Sequence, residues 1–198
     1  WAGLDPTNGD PMGYLDGQVS KNYSAIIQNT PIDSLVFAGS ARPTVFGSIR
    51  NSFSYGKFGV SLLISGKFGY YYRRYTTGID YPTALSNTGI NIDYEDRWQQ
   101  PGDETRTTVP SVVYPSNSNR NNFYRYAETL IEKADHIRLQ DIQFTYSLKK
   151  GQLWFTVNNI GIIWRANKHG IDPDYNGSNF SASYPNPRQY TIGYRTSF

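Results

Sequence analysis

Residues 57–72, KFGVSLLISGKFGYYY, sort cleanly by parity. The even positions are Phe58, Val60, Leu62, Ile64, Gly66, Phe68, Tyr70 and Tyr72. The odd positions are Gly59, Ser61, Leu63, Ser65, Lys67, Gly69 and Tyr71. In a β-strand these sets point to opposite faces. One face is apolar and ends in aromatics, and the other is small, polar and charged. A soluble β-sandwich produces this pattern with the apolar face in its core. A transmembrane barrel produces it with the apolar face in lipid.

The same alternation recurs at four other places. In 44–56, Val45, Ile49, Phe53 and Tyr55 oppose Ser48, Arg50, Ser52 and Ser54. In 136–149, Ile142, Phe144, Tyr146 and Leu148 oppose Asp141, Gln143, Thr145 and Ser147. After the tight turn Lys149-Lys150-Gly151, Leu153, Phe155 and Val157 carry the apolar face through 151–162. The last segment, 189–198, sets Tyr190, Ile192, Tyr194 and Phe198 against Thr191, Gly193, Arg195 and Ser197. Five antiparallel strands are therefore predicted, over about 44–56, 58–72, 136–149, 151–162 and 189–198.

The connections discriminate between the two architectures. Stretches 1–43, 73–135 and 163–188 are dense in Gly, Pro, Asn and Ser and read as loops, with one or two helical turns at YRYAETLIEK (124–133). In 1–43, the Asp-Pro, Asn-Gly and Asp-Gly pairs are expected to break up regular structure. The tight turns fall at one end of the strands and the long loops at the other, as in outer-membrane barrels. A Greek-key sandwich spreads its loops over both ends. Strand 58–72 also exceeds the roughly 9–11 tilted residues that cross a bilayer. Five strands cannot enclose a lumen, since the smallest membrane barrels have about eight. An open edge in lipid leaves backbone groups unpaired. The expectation is an all-β chain that forms the last part of a larger barrel and is the tail of something longer.

Composition agrees with mostly β structure: 17 Tyr and 18 Gly accompany a hydrophobic content of only 38%. No apolar run is long enough for a transmembrane helix, which leaves a barrel open because its strands alternate. The formal charge of +3 with scattered Lys and Arg gives nucleic acid little to bind, and no nucleic-acid partner is expected. The absence of cysteine removes disulfide scaffolds and thiolate metal sites.

Six stretches in order resemble the C-terminal end of the SusC/RagA family of TonB-dependent outer-membrane transporters of Bacteroidetes. They are GLDPTNGDPMGYLDG (3–17), RPTVFGSIRNSFSYGKFGVSLLISGKFG (42–69), DRW (96–98), ADHIRLQDIQFTYSL (134–148), VNNIGIIWRANKHGIDPD (157–174) and YPNPRQYTIGYRTSF (184–198). His136-Ile137 stands where the family commonly has an aromatic before Arg-Leu, and LKKG replaces a frequent Leu-Pro turn. The resemblance implies a barrel of about 22 strands, of which these are the last five, with 1–43, 73–135 and 163–188 as extracellular loops. It also implies an N-terminal plug and TonB-contacting segment outside this chain. The implied partners are the rest of the barrel, the TonB complex and a SusD-like surface lipoprotein. The implied activity is proton-motive-force-driven import of oligosaccharides or peptides across the outer membrane. Polar residues such as Ser61, Lys67, Gln143 and Thr145 would line the channel.

Candidate sites follow. Tyr190, Ile192, Tyr194 and Phe198 resemble the terminal signal that barrel-assembly machinery recognises, and equally read as lipid-facing residues of a last strand. Arg97, Trp98, Trp164 and Arg165, with Tyr71, are candidates for ligand contact, since aromatic faces stack on sugars and guanidinium groups bond hydroxyls or carbonyls. The competing role is interface aromatics and loop packing. Asp172, Asp174 and Asn176 match the start of a calcium loop, but Ser183 stands where a bidentate Glu belongs. No cofactor is therefore expected, with calcium as the alternative; Asp5, Asn8, Asp10 and Asp16 rank no higher. His136 and His169 are the only histidines and lie far apart with no nucleophile motif, so no catalytic set and no enzyme is expected. The competing functions are a secreted β-sandwich that binds carbohydrate and an adhesin-like barrel without TonB coupling.

Overall fold

The computed structural model describes residues 1–74, 92–175 and 185–196. The chain divides into two compact units, Trp1–Ala38 with Arg73–Ile131, and Gly39–Tyr72 with Glu132–Phe198.

The first unit draws two distant segments together. β1 (Gly13–Leu15) and β2 (Gln18–Ser20) form a hairpin. Its turn is Asp16-Gly17, both at positive φ (50° and 78°), the conformation a two-residue hairpin of this twist needs. The Asp-Gly pair thus makes a regular element where it was expected to break one. α1 (Tyr23–Asn29) follows, capped by the Asn22 side chain on Ala25 N at 3.2 Å. α2 (Ser118–Arg125) is capped in the same way by Asn117 on Arg120 N at 3.1 Å. The helical turns expected over 124–133 therefore begin earlier, at the Asn cap; 128–130 is a 3-10 turn and 131–133 is extended. Val109, Tyr124, Ala127 and Leu130 are buried together, and Trp1 packs on them.

This unit is not held by apolar contact alone. The Arg120 guanidinium, 2% exposed, donates to Asp10 Oδ1 at 2.7 Å and to Ser111 O at 2.8 Å. Ser111 N donates to Gly9 O at 3.0 Å. A buried guanidinium is stable only when paired and bonded in this way. Stretches 1–38 and 92–131, read as loops, thus share one core.

The second unit is a five-stranded antiparallel sheet in the order β3-β4-β7-β8-β9. Its strands are β3 (Val45–Tyr55), β4 (Phe58–Phe68), β7 (His136–Leu148), β8 (Gly151–Arg165) and β9 (Gln189–Thr196). Two short strands, β5 (Tyr71–Arg73) and β6 (Ile131–Lys133), pair with each other. The strand expected over 58–72 stops at Phe68, because Gly69 takes a φ of 73° and breaks the ladder. Two-residue turns join β3 to β4 and β7 to β8, pairing Tyr55 with Phe58 and Leu148 with Gly151. Residues 69–135 lead from β4 to β7 and residues 166–188 from β8 to β9, both at the opposite end.

Register makes the two faces continuous. On one face Phe53, Val60, Phe144, Phe155 and Ile192 stand in a row across all five strands. On the other, Ser52, Ser61, Gln143, Thr156 and Thr191 do the same. The apolar parity of β7 changes from odd (Ile137, Leu139) to even (Ile142, Phe144), and a bulge between Leu139 and Asp141 absorbs the extra residue. Without that bulge, half the strand would turn its apolar side chains to the polar face.

Candidate functional site

The polar face of the sheet carries the ionic chemistry of the second unit. Near its middle, Arg50 of β3 reaches past Leu63 to Asp141 of β7, with Nη1–Oδ1 at 3.0 Å and Nη2–Oδ2 at 2.9 Å. Ser61 Oγ accepts a further bond from Arg50 at 3.2 Å. Gln140, turned to this face by the bulge, donates to Ser65 Oγ at 2.7 Å.

A denser cluster sits at the end with the long connections. Lys67, His136 and Arg138 lie on adjoining positions of β4 and β7, since Lys67 pairs with His136 and Ser65 with Arg138. The turn Asp172-Pro173-Asp174 meets them. Arg138 Nη2 lies 2.6 Å from both Asp172 oxygens, and Lys67 Nζ lies 2.7 Å from Asp174 Oδ1. His136 Nε2 is 3.4 Å from Asp174 Oδ2. Arg165 of β8, paired with His136 of β7, donates to Gly170 O in the same connection. The His136 contact and the Lys67 ammonium hold the Asp174 carboxyl well below the usual carboxylate range, against the opposing effect of burial.

The carboxylates read as a partial calcium loop are thus bound to cations of the sheet; Asn176 lies outside the described residues. Among the described residues, no group of three or more His, Asp or Glu is arranged to hold a metal ion. The Asp5–Asp10 cluster likewise encloses a lysine: Lys21 Nζ is 2.7 Å from Asp5 and 3.6 Å from Asp10. Asp16 serves the β1–β2 turn.

The four candidate ligand-contact residues fall in different units. Trp98 is 8% exposed, donates through Nε1 to Glu104 at 3.1 Å, and lies against Gly9. Its ring serves packing within the first unit. Arg97 lies 4.0 Å over the Tyr94 ring and donates to Tyr94 O. Trp164, opposite Ile137, is on the apolar face, whereas Arg165 is on the polar face. Tyr71 is half-buried in β5 beside Gly39. Tyr190, Ile192 and Tyr194 share the apolar face of β9; Phe198 lies outside the described residues.

No protein-family model and no curated protein matches this chain. The functional residues therefore stand on their own geometry. No local spacing in the sequence links Lys67 to Asp174 or Arg138 to Asp172, which lie 107 and 34 residues apart. The one available signal was charge at a strand end that otherwise follows an alternating pattern.

Proposed function

We propose that this chain is part of the wall of an outer-membrane β-barrel importer of the TonB-dependent SusC/RagA type, which takes up oligosaccharides or peptides with a SusD-like surface lipoprotein. In this reading the five-stranded sheet is one sector of a barrel of about 22 strands. β3 and β9 continue the ladder with strands outside this chain. The barrel wall is passive, and movement of a plug under TonB opens the path. The polar face lines the lumen, and the long connections lie at the extracellular mouth.

The observation that carries the reading is the exposed apolar face of a meander whose short turns all lie at one end. Phe53, Tyr190 and Ile192 are 65%, 64% and 78% exposed, although they occupy the inward-type positions of regular strands. A sandwich would cover that face with a second sheet at core packing density. Water penalises such a surface, whereas hydrocarbon does not. The polar face meanwhile carries the ion pairs that lipid would penalise. β3, β4, β7 and β8 span 11, 11, 13 and 15 residues, enough to cross a bilayer at a barrel tilt.

Cysteine scanning along β4 in intact outer membranes tests this assignment. A membrane-soluble maleimide is expected to label Val60→Cys, Leu62→Cys and Ile64→Cys. A charged aqueous reagent is expected to label Ser61→Cys and Ser65→Cys once the lumen is entered. Aqueous labelling of both parities would count against a lipid face.

A further inference from the structure

The connection that leaves β8 does not simply project from the end of the sheet. Its described part, residues 166–175, turns back onto the polar face. Arg165 holds Gly170 O; Asn167 Nδ2 donates to Ile171 O at 3.0 Å, and Asn167 Oδ1 accepts from Ile171 N at 3.2 Å. This brings Asp172 and Asp174 over Arg138, Lys67 and His136, with Pro173 buried between the two carboxylates. Arg138 and His136 are 4% and 1% exposed, so the acidic turn covers them. His136 Nδ1 lies 2.9 Å from Ala134 O and 3.3 Å from Tyr70 Oη, while Nε2 faces Asp174. A carbonyl and a carboxylate, both acceptors, bracket the ring. Arg138 Nη2 is shared between the two Asp172 oxygens at 2.6 Å each, a charge-assisted contact of guanidinium with carboxylate. Burial on this scale means that removing one partner strands a charge instead of exposing it to water.

We propose that residues 166–175 form a strap clasped across the polar face at the long-connection end, with Arg138 as its principal positioning residue and Lys67 and His136 as secondary holds. The strap narrows the space above β4 and β7, and loss of the clasp frees it. Its consequence for transport rests on the importer reading, in which this face lines the lumen and the strap stands in the mouth. There it would limit the size of solute that enters along this sector, while its own carboxylates neutralise the cations beneath.

The test uses the full-length protein in its native membrane. This chain has no cysteine; in a background cleared of any cysteine elsewhere in the protein, a Lys67→Cys, Asp174→Cys pair places two thiols of known origin. A short bismaleimide is expected to join them, since a Lys–Asp contact made at the side-chain tips separates the Cβ atoms by more than a direct disulfide spans; joining leaves neither open to a maleimide-polymer reagent. A control pair, Lys150→Cys with Asp174→Cys, is expected to stay unjoined. Arg138→Gln, or Asp172→Asn where the first variant fails to assemble, should slow cross-linking by about tenfold, the scale of one lost charge-assisted bond. Absence of the cross-link, or a rate unchanged by both variants, would overturn the strap. Membrane extraction of the same samples separates the two ideas. A cross-linked protein that needs no detergent keeps the strap and refutes the importer. A detergent-dependent protein without the cross-link does the reverse.

Discussion

Arg50 and Asp141 face each other across an intervening strand, joined by two parallel hydrogen bonds of 3.0 and 2.9 Å. Neither lies in contact range along the sequence; β4 brings them together by pairing with β3 on one side and β7 on the other. The pair ties three strands at the level of side chains. Arg50 is about half exposed, which limits its contribution through solvent screening. Arg50→Ala is expected to lower unfolding stability by about 1 kcal/mol, and Arg50→Lys by a similar amount because the bidentate fork is lost. Denaturant titration of the refolded protein in detergent measures both. Equal stability of Arg50→Ala and wild type would remove the pair from the account of the sheet.

Opposite faces of β9 should respond oppositely to charge. On the barrel reading, Ile192→Arg places a cation on a lipid-facing position and is expected to cost about 2–4 kcal/mol. Thr191→Arg, one residue away on the polar face, is expected to change stability by less than about 0.5 kcal/mol. The comparison is made by equilibrium unfolding from lipid vesicles. Equal costs would mean that the two faces see the same environment.

In the first unit, Gly9 has a φ of 70°, and a Cβ there would fall on the Trp98 ring. Gly9→Ala therefore meets both backbone strain and overpacking, which together are expected to cost about 2–3 kcal/mol. Hydrogen exchange should report faster opening of 92–131 with little change in β3 and β4. Gly3, with a φ of 92° and open space around its Cβ position, serves as the comparison for strain alone.

Asp5 supplies a pH dependence with a definite sign. Its carboxyl accepts from the Lys21 ammonium at 2.7 Å and from the Thr7 hydroxyl and amide at 2.6 and 2.8 Å. These bonds hold it well below the ordinary aspartate value of 3.8. A depressed folded-state pKa gives stability that is complete above the unfolded value and is lost as pH falls through the folded one. The difference in exchange protection of 3–21 between wild type and Asp5→Asn should therefore be constant from about pH 8 to 5 and shrink below about pH 4. A difference that grows on acidification would contradict the assigned bonds.

The parts of the fold legible in sequence were those with a period. Alternation located β3, β4, β7, β8 and β9 because each shows two unlike environments, and pairing of Phe53, Val60, Phe144 and Phe155 follows from it. Even the parity change near Gln140 is visible in the string, although the bulge that accommodates it is a property of the ladder. The first unit was not legible, because it is assembled from segments far apart in the chain. What joins them is aperiodic: Arg120 on Asp10, Ser111 on Gly9, and Trp98 against Gly9. Asp16-Gly17 carries a usable hairpin signal, which the same pair's strength as a breaker of regular structure masks. Asn117 marked the start of α2 more faithfully than the apolar residues of 124–133. Of the candidate site, Asp172 and Asp174 stood out by spacing, but the same spacing suits a cation loop and a salt-bridged turn. Only the strand register, which sets Lys67 beside His136 and Arg138 one step on, distinguishes the two.

The central claim is that the exposed apolar face meets lipid. Fractionating the native source, then extracting the membrane pellet with and without mild detergent, tests it most directly. This sequence is expected to stay in the pellet until detergent is added, and then to migrate faster on a denaturing gel before boiling than after. A protein that is monodisperse in plain buffer, with migration unaffected by heat, would contradict it and return the apolar face to a covered core.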